Sequence, residues 1–335
     1  MAIPSLSLTD GRWCRCGSNS KAYLVRVPLL KFLACLWWAL CWVGSVHAAS
    51  VVIVVSEQSA GYVQVSDALL MDLERAGTAR GDVRLLALAD SVALDRAVAE
   101  RPRVLITLGA EALKQVLSRD VRSPVIAALI PKMGFERILG EAAKKTPLVS
   151  ALYLDQPFGR QLDLLRLAIP GVKRVGVIWG PESIAQQRNL TSAMQAQGLD
   201  PVYGTVGADG VLFAGLKAAL EDADVLLAVA EPQVFNSTTI SNILLATYRA
   251  RIPVMAFSPA YVKAGALLSL YTTPSQIGLQ AAAMARQVLQ GSVVPTSQYP
   301  QDYVVNVNEY VARSLGMRLD GATLTDRLHR MEKRP

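Results

Sequence analysis

The chain has 335 residues, 52% of them hydrophobic and 18% charged, with 34 Lys and Arg against 27 Asp and Glu, a formal excess of +7. Five of those basic residues and one acidic residue fall within residues 1–48, so the remaining 287 residues carry only +3, and a nucleic-acid partner loses its electrostatic argument. All four cysteines (14, 16, 35 and 41) fall there too, which leaves the rest without thiol or disulfide, as suits an exported protein held by its core.

Residues 32–46, FLACLWWALCWVGSV, form an unbroken run of apolar and small residues, preceded by Arg26 and Lys31 and followed by His47-Ala48. A basic stretch, a short apolar stretch and small residues at the −3 and −1 positions describe a secretory signal peptide cut after Ala48. A membrane-spanning helix needs about 20 apolar residues, more than this run supplies. Neither Cys35 nor Cys41 has the flanking residues of a lipid-attachment site.

Beyond residue 48 short β-rich runs alternate with amphipathic helical stretches. Strands are predicted at Val51–Val55, Val83–Leu88, Val104–Leu108, Val125–Ile130 and Leu148–Leu154. Helices fall between them at Gly61–Ala76, with Val63, Leu69, Leu70 and Leu73 along one side, then at Leu94–Ala99, Glu111–Leu117 and Phe135–Ala143. The pattern then restarts with a helix over Gly159–Ala168 and strands at Arg174–Trp179, Pro201–Val206, Val225–Val229, Val254–Phe257 and Leu267–Leu270. Helices over 209–222 and 237–250 lie among these strands, and a long helix, Ser275–Leu289, ends at Gly291. A last strand, Tyr303–Val307, precedes a short helix to Leu315, and the charged segment Asp320–Pro335 is expected to fray.

Runs such as VVIVV and VIAALI do not alternate, as expected of parallel strands covered on both faces. The fold class is therefore α/β, with doubly wound parallel sheets. So many strands exceed one lobe, and the chain divides near Asp155-Gln156-Pro157 into two lobes joined by short strand-like hinges.

Catalytic chemistry is sparse. Beyond residue 48 the one histidine is His329, in the polar tail, so neither a Ser-His-Asp arrangement nor a zinc site is expected. Neither G-x-G-x-x-G nor G-x-x-x-x-G-K-[ST] occurs where a nucleotide would need it. No cofactor, metal or catalytic residue is expected. The carboxylates near strand ends (Glu57, Glu111, Asp155, Glu182 and Glu231) read better as helix N-terminal acids or hinge acceptors than as the site of a hydrolase.

Ligands of open α/β sheets bind beyond the C-terminal strand ends. The candidate ligand-binding residues are accordingly Ser56, Glu57, Gln58, Gly109, Ala110, Glu111, Pro131, Asp155, Gly180, Glu182, Ser183, Glu231 and Ser258. Tyr62, Phe235, Tyr261 and Tyr271 join them as aromatic residues close to those ends. Each has a plainer reading: Ser59 or Ser183 as a helix cap, Phe235 as ordinary core.

The segment LYLDQPFGRQLDLLRLAIPGVKRVGVIWGPES resembles the hand-over between lobes in ABC-transporter substrate-binding proteins. RIPVMAFSPAYVKAGALLSLYTTPSQIGLQAAAMARQVLQG resembles their strand, loop, Gly-Ala strand and Gly-containing helix, and YVVNVNEYVARSLGM their closing strand and Leu-Gly turn. The family is the one that includes tryptophan- and tyrosine-binding components.

The resemblance implies a type I periplasmic-binding-protein fold with interlobe crossings near 155, 272 and 295–300. The lobes would be residues 49–155 plus 272–297 and 156–271 plus 298–318, followed by a polar tail, 319–335. It further implies a hinged cleft closing on a small polar or amphipathic, amino-acid-like ligand, and a monomer that delivers it to an ABC permease of the inner membrane. The alternative is an envelope protein-interaction or sensor-partner module on the same fold. The first lobe departs from the family pattern: Leu108-Gly109-Ala110 and Ile130-Pro131-Lys132 stand where relatives tend to have Thr-Pro and Thr-Asp-Pro. That weakens the case for an aromatic amino acid, and Lys132 turns the preference toward an acidic group.

Overall fold

A computed structural model describes residues 49–142, 148–207 and 211–332, and the segment read as a signal peptide lies outside them. The first sheet is built from β1 (Val51–Val55), β2 (Val83–Ala87), β3 (Val104–Leu108), β4 (Val125–Ile130) and β5 (Val149–Tyr153), in the order β2-β1-β3-β4-β5 and parallel throughout. Strands β1 and β3 are buried along their whole length, the condition their unalternating apolar runs require. Helices α2 (Ser91–Ala99), α3 (Ala110–Leu117) and α4 (Lys132–Glu141) cover one face through Leu94, Leu113, Val116, Phe135 and Ile138.

The opposite face carries α1 (Ala60–Arg75) and, from far along the chain, α10 (Pro274–Leu289). In α1 the buried side is Val65, Ser66, Leu69 and Leu73, whereas Val63 is half exposed. The expected stripe was thus off by two positions at its start. Helix α10 begins with a capping box between Thr273 and Gln276 and with Pro274 in its first turn. Where it crosses α1, Gly278 lets the backbones meet: a Cβ there would lie 2.5 Å from the Val65 carbonyl oxygen and 2.8 Å from Ala68 Cβ. Arg286 pairs with Asp72 further along the same contact.

The second sheet repeats the winding. It comprises β6 (Arg174–Trp179), β7 (Asp200–Thr205), β8 (Val225–Leu227), β9 (Val254–Ala256), β10 (Leu268–Tyr271) and β11 (Val304–Val307), in the order β11-β10-β9-β8-β6-β7. Only β11, at the edge, runs antiparallel. One face is covered by α5 (Phe158–Ala168), α6 (Gln187–Ala196) and α12 (Gly321–Glu332). The other is covered by α7 (Leu212–Leu220), α8 (Ile240–Ala250) and the short α9 (Pro259–Ala264); α11 (Glu309–Ser314) follows β11.

Helix α12 corrects the expectation of a frayed C-terminal segment. Leu324 and Leu328, one turn apart, are 4% and 0% exposed and join the core beneath β11 and α5. Glu332, at its last turn, accepts from Arg160 Nε at 2.5 Å and from the Tyr303 hydroxyl at 2.8 Å. The segment is charged on one side and apolar on the other, so composition alone hid its docking face.

Candidate functional site

Three segments connect the sheets, at residues 154–157, 272–273 and 298–303, and a run of hydrogen bonds ties them together. Gln156 Nε2 donates to Thr272 Oγ1 at 2.9 Å, and Thr272 Oγ1 donates to the Asp302 carbonyl at 2.9 Å. Arg160 donates to Gln156 Oε1 and to the Pro300 carbonyl, both at 2.7 Å, and its guanidinium stacks on the Tyr303 ring at 4.2 Å. Gln298 adds one parallel bridge to Leu152, beside β5. The crossings therefore form one hydrogen-bonded seam beside a cavity of about 450 Å³.

The cavity opens at the C-terminal ends of β4, β5, β8, β9 and β10, the place where open α/β sheets take ligands. Its walls are mostly apolar: Leu154, Phe158, Val229, Phe257 and Leu270, with prolines 131, 259 and 274. Gln156, Gln161, Gln186, Ser258, Tyr271, Thr272 and Tyr299 supply neutral polar atoms, and Lys132 and Asp155 are the two charged residues on the lining. The volume and the ratio of apolar wall to polar groups match those of small-molecule sites.

The two charges are not equivalent. Lys132 is the first residue of α4, and its backbone N–H donates to the Asp155 carboxylate, which thereby closes the helix N-terminus. Burial pushes the Asp155 carboxyl above the usual aspartate range, against the pull of that amide, of its own amide and of the Lys132 ammonium. The Lys132 ammonium lies 5.7 Å from the centre of the Tyr299 ring and 3.8 Å from the Glu136 carboxylate. Burial disfavours that ammonium, but Tyr299, Glu136 and Tyr153 together outweigh it and raise its pKa.

Of the residues selected from the sequence, Pro131, Asp155, Ser258 and Tyr271 line this cavity. Except for Phe235 and Tyr261, the remainder gather at the two points where the winding of the sheets reverses. In the first sheet, between β1 and β3, Ser56 Oγ accepts the Ala112 N–H at 2.8 Å. Gly109, at φ +93°, lies so close that a Cβ would sit 2.6 Å from both Ser56 Oγ and the Tyr62 hydroxyl. Glu57, Gln58, Ala110 and Glu111 flank that turn as exposed residues, the last two opening α3.

At the second reversal, between β6 and β8, the crevice is filled from within. Glu231, 1% exposed, accepts from Ser183 N at 2.9 Å, Ser183 Oγ at 2.8 Å, Glu182 N at 3.1 Å and Gln233 N at 3.2 Å. Gly180 sits against it, since a Cβ there would lie 2.4 Å from Glu231 Cδ. Ser183 therefore binds Glu231 rather than capping a helix, and Ser59, at the N-cap of α1, makes no side-chain cap bond. Phe235 is core: it packs edge-on against Phe257 and Tyr261, and its carbonyl accepts the Tyr261 hydroxyl at 2.9 Å.

Gln156, Phe158, Gln161, Gln186, Phe257, Thr272 and Tyr299 line the cavity without having been selected. Four of them sit in or beside the crossing segments, so the crossings implied near 155, 272 and 295–300 were the available signal. Across the rim, Arg137 of α4 faces Glu182 in the turn after β6 at 3.5 Å, an exposed pair of small energetic weight. Among the described residues no group of three His, Cys, Asp or Glu is arranged to hold a metal.

With this geometry in view, the comparisons with known proteins are specific about family and silent about ligand. Residues 75–325 match the family model described as ABC transporter substrate binding protein. A search of curated proteins finds no match. Among solved structures, a ligand-free, open substrate-binding protein with adhesive properties from Clostridium difficile superposes with a TM-score of 0.65 at 17% identity, over 81% of this chain and 95% of that one. A Streptococcus pneumonia ABC domain in complex with L-Trp gives 0.58 at 16% identity, over 82% and 97%. A periplasmic ribose ABC transporter protein from Conexibacter woesei gives 0.51 at 14% identity, over 80% and 94%. At such identities the likeness establishes the two-sheet fold, and it is shared by proteins whose titles name an amino acid and a sugar.

Proposed function

The chain belongs to the ABC transporter substrate-binding protein family, and on that premise we propose that it captures a small polar or amphipathic solute in the cavity between its two sheets and delivers it to an inner-membrane permease. The observation that carries the reading is the placement of that cavity. It lies at the C-terminal strand ends of both sheets, against hinge-like crossings, so that a ligand touching both walls favours the closed state by its differential contacts.

The reading includes export, with the leader removed after Ala48, and action as a monomer without catalysis. It divides the protein into lobes of residues 49–155 plus 272–297 and 156–271 plus 298–318, with α12 docked on the second lobe. No helix among the described residues is long and apolar enough to cross a membrane.

A second reading, a protein-interaction module without solute, draws on one observation. Between α7 and α8 an apolar groove is lined by Leu212, Leu216, Leu220 and Leu245, and beside it Phe213 is 77% exposed. A thermal-shift screen of the purified protein against amino acids, peptides, nucleosides, sugars and organic acids separates the two readings. A ligand at 100 times its dissociation constant adds about 2.7 kcal/mol of stability. A stabilising compound supports the solute reading; a well-folded protein that no compound stabilises supports the module.

A further inference from the structure

Several ready-made anion receptors at the strand ends are already occupied by the protein itself. The first N–H of α4 is bound by Asp155. The start of α10 is closed by the Thr273–Gln276 box, and the Ala112 N–H in the first turn of α3 donates to Ser56. At the reversal of the second sheet the Glu231 carboxylate takes two backbone amides and a hydroxyl. The Gln156 side chain is spent on Thr272 and Arg160. These groups stiffen the walls but offer a ligand little charge.

One charged donor is left. The Lys132 ammonium faces the cavity with a third of its side chain exposed, and its carboxylate partner is Glu136, half exposed at 3.8 Å one helical turn away. Such an exposed i,i+4 pair is a weak tether, so the ammonium can turn to a better acceptor at little cost. Asp155 lies close enough to the same ammonium to feel its charge, but its carboxylate is held by the α4 amide. Around Lys132 the lining is aromatic and proline-rich: Phe158, Phe257, Tyr271 and Tyr299 with Pro131 and Pro259.

Resting on the solute-binding reading, we infer that the cleft takes an organic anion, a carboxylate carried on an aromatic or branched apolar body, and that Lys132 is the residue that selects for its charge. The ligand's carboxylate would accept from the Lys132 ammonium near the first-sheet wall, and its apolar body would lie between Tyr299 and the second-sheet wall at Phe257 and Pro259. An ammonium group on the ligand would be dispensable.

Calorimetric titration of the purified protein with matched probes tests this: indole-3-acetate, L-tryptophan, tryptamine and D-ribose, alongside a panel of other aromatic and branched carboxylic acids and their amines. We expect carboxylic acids to bind whether or not they carry an amino group, and matched amines to bind about 10- to 100-fold more weakly, the range for a charge-assisted hydrogen bond. Lys132→Met should weaken the acids by a similar factor, whereas Lys132→Arg should keep affinity within about threefold while both variants melt like the parent. Tighter binding of amines or sugars than of acids, or acid affinity unchanged in Lys132→Met, overturns the inference and leaves solute binding standing. No binding by any member of the panel overturns the solute-binding reading and the inference with it.

Discussion

Adding one methyl group at Gly180 tests whether Glu231 is the internal anchor of the second sheet's crevice. The new Cβ would stand 2.4 Å from Glu231 Cδ and 2.6 Å from Oε2, far inside contact distance, so the carboxylate must withdraw. Withdrawal takes the acceptor from the Glu182 N–H and leaves the buried Ser183 N–H and hydroxyl only their longer contacts to the Gly180 carbonyl, at 3.2 and 3.5 Å. At about 1–3 kcal/mol for each buried donor left without a partner, partly relieved by relaxation, Gly180→Ala should cost about 2–4 kcal/mol. Glu231→Ala should cost a similar amount by the same loss. In the double variant the methyl group enters space the carboxylate has left, so its added cost should fall below about 0.5 kcal/mol. Urea denaturation followed by Trp179 fluorescence is the assay, because Trp179 precedes Gly180, is fully buried and is the only tryptophan beyond residue 42. Costs that simply add in the double variant would refute the reasoning, since they would mean that Gly180 and Glu231 do not contact each other.

Three further expectations follow from packing and titration. Gly278→Ala gains about 1 kcal/mol of helix propensity but forces α10 off α1, and overpacking of about 1–3 kcal/mol should leave it destabilised in a thermal melt. Leu328→Ala, deleting a fully buried side chain of α12, should cost about 2–5 kcal/mol by denaturant titration; a cost near zero would mean that the helix frays after all. Asp155 and Asp224 should shape the acid limb of stability in opposite senses. Burial raises the Asp155 pKa, so the native state holds that proton longer, and the contribution is present at low pH and lost as pH rises through the native value. For Asp224, burial is outweighed by the Arg174 and Lys173 amides and charges, which lower the pKa; its contribution is present above about pH 4 and lost as pH falls through the native value. Asp155→Asn should remove the first slope and Asp224→Asn the second, read as stability against pH from 3 to 7.

The sheets were legible because buried parallel strands leave an unmistakable trace in sequence: VVIVV and VIAALI admit no exposed face. Helix faces were less legible. Val63 is apolar yet half exposed, and the polar Ser66 is buried because its hydroxyl donates to the Tyr62 carbonyl one turn earlier. At α12, two leucines amid seven charged or polar residues were enough to dock a helix once Arg160 and Tyr303 held its end. The site followed the same division. Strand ends could be enumerated, but the sequence does not reveal that Glu231 fills one crevice while Ser56 and Tyr62 crowd the other. Nor does it bring Gln156, Thr272 and Tyr299 together, since they meet only when the first crossing joins the other two, which lie more than 100 residues further along the chain.

The central claim is that a solute occupies the cavity between the sheets, and a plugged cavity tests it most directly. Ala230 is an exposed residue on the lining, so Ala230→Trp fills the space without entering the core. Calorimetric titration of parent and variant with the best compound from the thermal-shift screen should give saturable one-to-one binding to the parent and a loss of at least about 100-fold in the variant, with equal melting temperatures in the absence of ligand. Equal affinity in both proteins would contradict the account, because the ligand would then bind elsewhere.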